Sequence, residues 1–411
     1  MEIHTAPWVL PISSAPIADG AIVVDNDTIV DVGYRLDIEK MYSSAHCKSH
    51  PKVLMPALVN CHAHLELSHL GAIRPPAVGE PFTGWIQRLI AERSASGDRH
   101  EEQRSARHRT IRDFINQGVG LVGDITNLYW QQHEGTLFQP LQILPLVELL
   151  APTKKAAEGA LSQAASYSRK TILSAHAPYS TTSTLLRYLY ARSKELNHPF
   201  VIHTAESREE LEFITHGSGA FRQFLEQRSS WDDSLNVNET GNFSGSVAYL
   251  ANLGLLGENS TLVHCVHVSD AELDLIAAAD ASICLCPGSN NYLQVGRARA
   301  IAMVRKGINV AIGTDSTASN EVLDVWREMT IIADQHHGLA PADILIMATL
   351  AGAKALGYSG IFGELRAGAK AAVISVTSRK IQSCVSAHEL VYELVTGGRP
   401  AVKWITPNRC A

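Results

Sequence analysis

The sequence predicts an α/β protein: a (β/α)8 TIM barrel with a small composite β-sandwich built from its N- and C-terminal segments. Three observations predict it. Eight short apolar, strand-like runs recur, most of them followed by a helix-like stretch, which is the count of a closed parallel barrel. Polar residues stand at the C-terminal ends of those runs, where such barrels keep their active sites. No glycine-rich phosphate turn of an open, doubly wound sheet follows any of them.

In chain order, residues 1–53 contain AIVVDNDTIVDVG, a hairpin pattern with Asn26-Asp27 at the turn. The eight runs then begin with VLMPALVNCHAH, from Val53 to His64. They continue through Gly118 to Thr126, Leu141 to Leu149, Thr171 to Pro178 and Pro199 to Glu206. The last three are Ser260 to His267, Ala281 to Asn290 and Ile308 to Ser316. Stretches such as TLLRYLYARSKEL and DAELDLIAAAD read as connecting helices. The tail carries AAVISVTS and LVYELVTGG, read as strands. The expected division is therefore 1–53 with 364–411 as the sandwich and 54–363 as the barrel.

The 411 residues are 45% apolar and 18% charged, with a formal charge of −6. That is a globular profile with no basic stretch, so nucleic acid is not an expected partner. No apolar run reaches the length of a membrane span, and the N-terminus lacks the pattern of a secretory signal. Seven scattered cysteines, an odd number without a CxxC, suggest reduced thiols in the cytoplasm. Cys284 and Cys286 in CLC read as small buried residues rather than as ligands. The expected partner is a small-molecule substrate, with a homo-oligomer left open.

The first run ends in His62-Ala63-His64. Alternate residues of a strand share a face, so the two imidazoles converge. Neutral imidazole is the commonest metal ligand. His203 closes the fifth run and Asp315 the eighth, in GTDS. Three imidazoles and one carboxylate can hold one Zn²⁺ or Fe²⁺ and leave room for water. Glu206, three residues after His203, can reach that water and move its proton without being a ligand. Glu209 and Glu210 read as carboxylates favoured by a helix N-terminus. His264 ends the sixth run beside the attacking water, with His267 second for that role. His176, in HAPYS, is placed to donate to the substrate.

VNCHAHLELS, HAPYS, HTAES, HCVH, CPGSN and GTDSTASN occur in that order at run ends. On these motifs the chain resembles the amidohydrolase superfamily, in particular its mononuclear-metal branch of nucleoside and nucleobase deaminases and triazine chlorohydrolases. The resemblance implies His62, His64, His203 and Asp315 as ligands of one divalent ion. It implies Glu206 as the H-x-x-E acid/base, His264 beside the nucleophile and Asp315 as a second proton acceptor. Binuclear relatives carry a lysine at the end of the fourth strand, where this chain reads TILSAHAPYS, so one ion is expected. The implied reaction is attack of hydroxide on an amidine-like ring carbon with loss of ammonia; Glu206 favours deamination over dechlorination.

HLELS followed by FTGWIQRLI resembles the aminodeoxyfutalosine deaminases of menaquinone synthesis. Thioadenosine and adenosylhomocysteine deaminases carry a carboxylate beside a loop tryptophan, where this chain has Thr83-Gly84 before Trp85. On this resemblance Glu66 becomes a polar contact for substrate hydroxyls and Trp85 a stacking face. Arg88 or Arg74 would meet a substrate carboxylate. Gly288, where relatives often have a larger residue, would widen the pocket.

Overall fold

The computed structural model describes residues 1–97, 99–127, 139–235 and 243–405. The first strands are β1 (Glu2–Val9), β2 (Ile17–Asp25), β3 (Thr28–Tyr34), β4 (His46–Ser49) and β5 (Val53–Pro56). The central strands are β6 (Leu58–Ala63), β7 (Val119–Thr126), β8 (Gln142–Leu149) and β9 (Ile172–Ala175), then β10 (Phe200–Thr204), β11 (Ser260–His264), β12 (Ser282–Leu285) and β13 (Asn309–Ile312). The tail supplies β14 (Val373–Thr377) and β15 (Ala401–Trp404).

β6–β9 and β10–β13 form two four-stranded parallel sheets in sequence order. This is a TIM-barrel-type α/β arrangement. Between β9 and β10 the His203 amide donates to the His176 carbonyl at 3.0 Å. Between β13 and β6 the amides of Thr314 and Asp315 both donate to the His62 carbonyl at 3.0 Å, beside a parallel bridge from Ala63 to Asp315. The predicted connecting helices are present as Ser183–Leu196 and Asp270–Ala278. The second is stopped at its start by a reciprocal Ser269–Glu272 capping box.

The N- and C-terminal strands pair with one another. They join into one seven-stranded sheet, β15-β14-β5-β1-β2-β3, with β4 also on β1. The β2–β3 hairpin turns at Asn26-Asp27, with Asp25 opposite Thr28 and Asn26 at φ 52°. The first predicted run is broken at Ala57. Its first half, Val53–Pro56, pairs antiparallel with β14 in the terminal sheet, so the boundary expected at residue 53 falls inside β5. Pro56, with no N–H to give a ladder, ends that strand.

LVYELVTGG is not a strand. It lies in the helix Ala387–Thr396, capped by Ser386, which buries Leu390, Leu394 and Val395. Those three follow the helical period, which outweighs the β propensity of Val and Tyr. The seventh run also stops early: Pro287 occupies the first turn of a short helix, Pro287–Tyr292. The six described cysteines are all free thiols, with Cys284 and Cys286 fully buried. Among the described residues no helix is long and apolar enough to cross a membrane.

The terminal sheet also holds a buried imidazole. His4 Nδ1 lies 3.0 Å from His50 Nε2, and burial, with repulsion from His50, pulls the His4 ring down to about 4. On unfolding the ring regains its ordinary affinity for a proton. Stability therefore falls as pH drops from about 6.5 towards 4. His4→Asn is expected to flatten that part of the profile by up to about 3 kcal/mol, read from urea midpoints of the two proteins at pH 4.5 and 7. A parallel pair of profiles would contradict it.

Candidate active site

β6 points His62 into the centre, and His64 follows one residue after the strand, where the turn Leu65–Leu67 begins. Their Nε2 atoms lie 3.2 Å apart. Asp315 Oδ1 is 3.4 Å from His64 Nε2 and 3.8 Å from His62 Nε2. His203 gives its Nδ1 proton to the His176 carbonyl at 2.8 Å, which turns Nε2 towards the other rings. One nitrogen each from His62, His64 and His203 falls within a 4.8 Å group. Burial and mutual repulsion hold His62 and His203 well below the usual imidazole range. Three imidazoles and one carboxylate that converge in this way fit a divalent cation with nitrogen and oxygen preference.

Glu206, His264 and Asp315 form a second 4.8 Å group at the same place. Glu206 Oε1 is 3.6 Å from His264 Nε2. Burial, then the charges of Asp315 and Glu210, raises the Glu206 carboxyl well above its ordinary value. Glu210 does more than favour a helix end: its oxygens accept the amides of Ala205 at 2.7 Å and Glu206 at 2.9 Å. Glu209 Oε1 accepts the Phe82 amide. His264 donates Nδ1–H to Asn290 Oδ1 at 3.0 Å, leaving Nε2 as an acceptor. His267 turns away, bonded through Nε2 to the Val295 carbonyl. His176 is held by Ser180 Oγ at 2.6 Å, its ring 5.3 Å from that of His203.

The first loop differs in detail from the expectation. Glu66 is buried and held by Arg93 at 3.0 Å, Thr126 Oγ1 at 3.1 Å and the Asn127 amide at 2.7 Å. The arginine that meets it is Arg93. Arg88 and Arg74, the candidates for a substrate carboxylate, are both paired with Glu80. Trp85 is buried and stacked on Phe82 with centroids 5.7 Å apart. From there an aromatic row runs through Phe221 and Tyr179 to His176.

A model of the amidohydrolase family matches residues 53–399. The chain belongs to the amidohydrolase family. Within it, the sequence is 29% identical over 363 residues to an aminodeoxyfutalosine deaminase of Deinococcus radiodurans, covering 82% of this chain and 81% of that one. It is 30% identical over 375 residues to a 5-methylthioadenosine/S-adenosylhomocysteine deaminase of Halobacterium salinarum, covering 86% and 79%. The fold is shared with the aminofutalosine deaminase of Helicobacter pylori, crystallised with methylthio-coformycin. That likeness has a TM-score of 0.81 at 21% identity and covers 97% of both chains. The chain is thus an amidohydrolase-family hydrolase.

One feature of this amidohydrolase was missed in its sequence and another was read differently. Glu148, at the end of β8, lies with His176 and His203 in a third 4.8 Å group. Its Oε1 is 3.5 Å from His203 Nδ1, and its Oε2 accepts from Asn127 at 3.2 Å. Burial, with Glu66 nearby, pushes its carboxyl up to about 8. The signal was available, since Glu148 stands next to last in a predicted strand, near the end where His176 also lies in its own. The second is Gly288, which does not widen the pocket. A Cβ there would sit 2.3 Å from Glu328 Oε1 and 2.6 Å from Asn320 Nδ2. The space is already filled by two side chains from later in the sequence.

Proposed function

We propose that this protein is a metal-dependent hydrolytic deaminase of an adenine nucleoside, with aminodeoxyfutalosine as its substrate. The observation that carries the reading is the junction of the two groups: His62, His64 and His203 on one side, Glu206 and His264 on the other, with Asp315 at both. In this reading β6–β13 close into one barrel, as the hydrogen bonds at both seams support, and His62, His64, His203 and Asp315 hold one divalent ion, zinc or iron.

An ion held there would supply the Lewis acidity that lets a water lose a proton near neutral pH. Glu206 accepts that proton and delivers it to the ring nitrogen beside the reacting carbon. Its buried position gives it the proton affinity that such a carrier needs. His264 offers Nε2 to orient the water, because Asn290 holds its other nitrogen. Asp315 takes the second proton on its way to the departing amine, and ammonia leaves.

The choice of nucleoside is supported by the first loop. Thr83-Gly84 supplies no carboxylate before Trp85, and the aromatic row from Trp85 to His176 suits a large apolar 5′ extension. Glu66, fixed by Arg93, is the candidate for the sugar hydroxyls. A thioadenosine substrate is the second reading, favoured by the relative from Halobacterium salinarum. The test compares kcat/KM for aminodeoxyfutalosine, methylthioadenosine, adenosylhomocysteine, adenosine, guanine and a chlorinated triazine. Aminodeoxyfutalosine is expected to lead. A tenfold lead by any other compound, about 1.4 kcal/mol of transition-state preference, would overturn the substrate while leaving the metal centre in place.

A further inference from the structure

His264 and Asp315 both stand in the left-handed region of the backbone, at φ 72° and 60°. Residues with a Cβ persist there only where their surroundings hold them. The holding groups converge on one buried carboxylate. Ser289, on the short helix Pro287–Tyr292, donates its hydroxyl to Asp315 Oδ2 at 2.6 Å. The next residue, Asn290, takes the His264 Nδ1 proton at 3.0 Å. The residue before them, Gly288, gives its amide to Glu328 Oε2 at 2.6 Å. Glu328 is fully buried on the helix Val325–Gln335.

Its other oxygen accepts from Asn320 Nδ2 at 2.9 Å. The same Asn320 amide group donates to the carbonyl of Thr314, directly before Asp315, at 3.0 Å. Arg327 closes the array by donating to Asn320 Oδ1 at 2.9 Å. One carboxylate therefore reaches His264 by one route and Asp315 by two. The missing side chain at 288 is the condition for this, because a Cβ would collide with both Glu328 and Asn320.

We propose that Glu328 is a positioning residue for the hydrolytic step, fixing His264 and Asp315 together through the Gly288–Asn290 segment and through Asn320. The proposal rests on the reading of that pair as catalytic. Glu328→Gln removes one of the two acceptor oxygens and sets an N–H group against either Gly288 or Asn320. Its kcat is expected to fall roughly ten- to hundredfold, as misplacement of reacting groups does, with KM little changed and one metal ion per chain retained.

A purely structural role would not predict the second readout. The combined loss in Glu328→Gln with Asn290→Ala should fall well short of the product of the two single losses, because both act on His264 by the same route. Losses that multiply, an unchanged kcat, or a loss fully explained by missing metal would overturn the proposal. Should Glu328→Gln fail to fold, Asn320→Ala, which spares the Gly288 contact but removes the bonds to Glu328 and to the Thr314 carbonyl, should lower kcat in the same way with one metal ion retained, and an unchanged kcat would overturn the proposal. Should the wild-type protein deaminate no adenine nucleoside, the functional reading falls and the positioning role is read without turnover. The visible spectrum of the Co²⁺-loaded protein should then shift in Glu328→Gln, since Asp315 moves, and an identical spectrum would refute it.

Discussion

Glu206→Gln is expected to lower kcat on the order of a hundredfold or more while the protein keeps its metal and its melting temperature. Glutamine has nearly the same shape and can still hydrogen-bond near His264, but it cannot carry a proton from water to a ring nitrogen. The backbone around it would not move, because Glu210 grips the amides of residues 205 and 206 independently of the Glu206 side chain. The measurement is steady-state turnover beside metal content by mass spectrometry. Activity close to wild type would remove Glu206 from the mechanism. It would also favour a reaction whose leaving group needs no proton, such as chloride.

The second large effect is expected from the histidine pair. The wild-type protein should bind about one equivalent of transition metal per chain, and His62→Ala or His64→Ala should release it and bring turnover to background. The two Nε2 atoms are 3.2 Å apart, so each defines half of the same coordination edge. Metal loss should also lower the melting temperature, since binding to the folded state alone stabilises it. Two ions per chain, or an ion that survives replacement of both histidines, would contradict the site.

The parts of this protein that were legible in its sequence rest on two things: contacts between near neighbours, and the fold's habit of gathering its strand ends. His62 and His64 are two residues apart on one strand, so strand geometry alone makes them converge. Glu206 and His264 were legible because a barrel assembles the ends of its strands whatever lies between them. The helix around Leu390 and Leu394 was misread because its valines and tyrosine suit a strand, and only its packing shows the helical face. Arg93, which holds Glu66, was not singled out from sequence, although it lies on the helix Phe82–Ser96 together with Arg88. Which face of that helix turns to Glu66 is fixed by the loop before it, where Glu80 takes Arg88. Gly288 looked like empty space for the same reason: Glu328 and Asn320, which fill it, come from the far side of β13.

β5 is flanked by β1 on one edge and β14 on the other, and only Ala57 separates it from the strand that carries His62. Almost the whole barrel sequence lies between Val53 and its partner Val376. During synthesis one edge of β5 must therefore stay bare until the tail leaves the ribosome, an exposed template for wrong pairing. The anchor of the first histidine strand is thus among the last pieces to be secured, although it is among the first to be made.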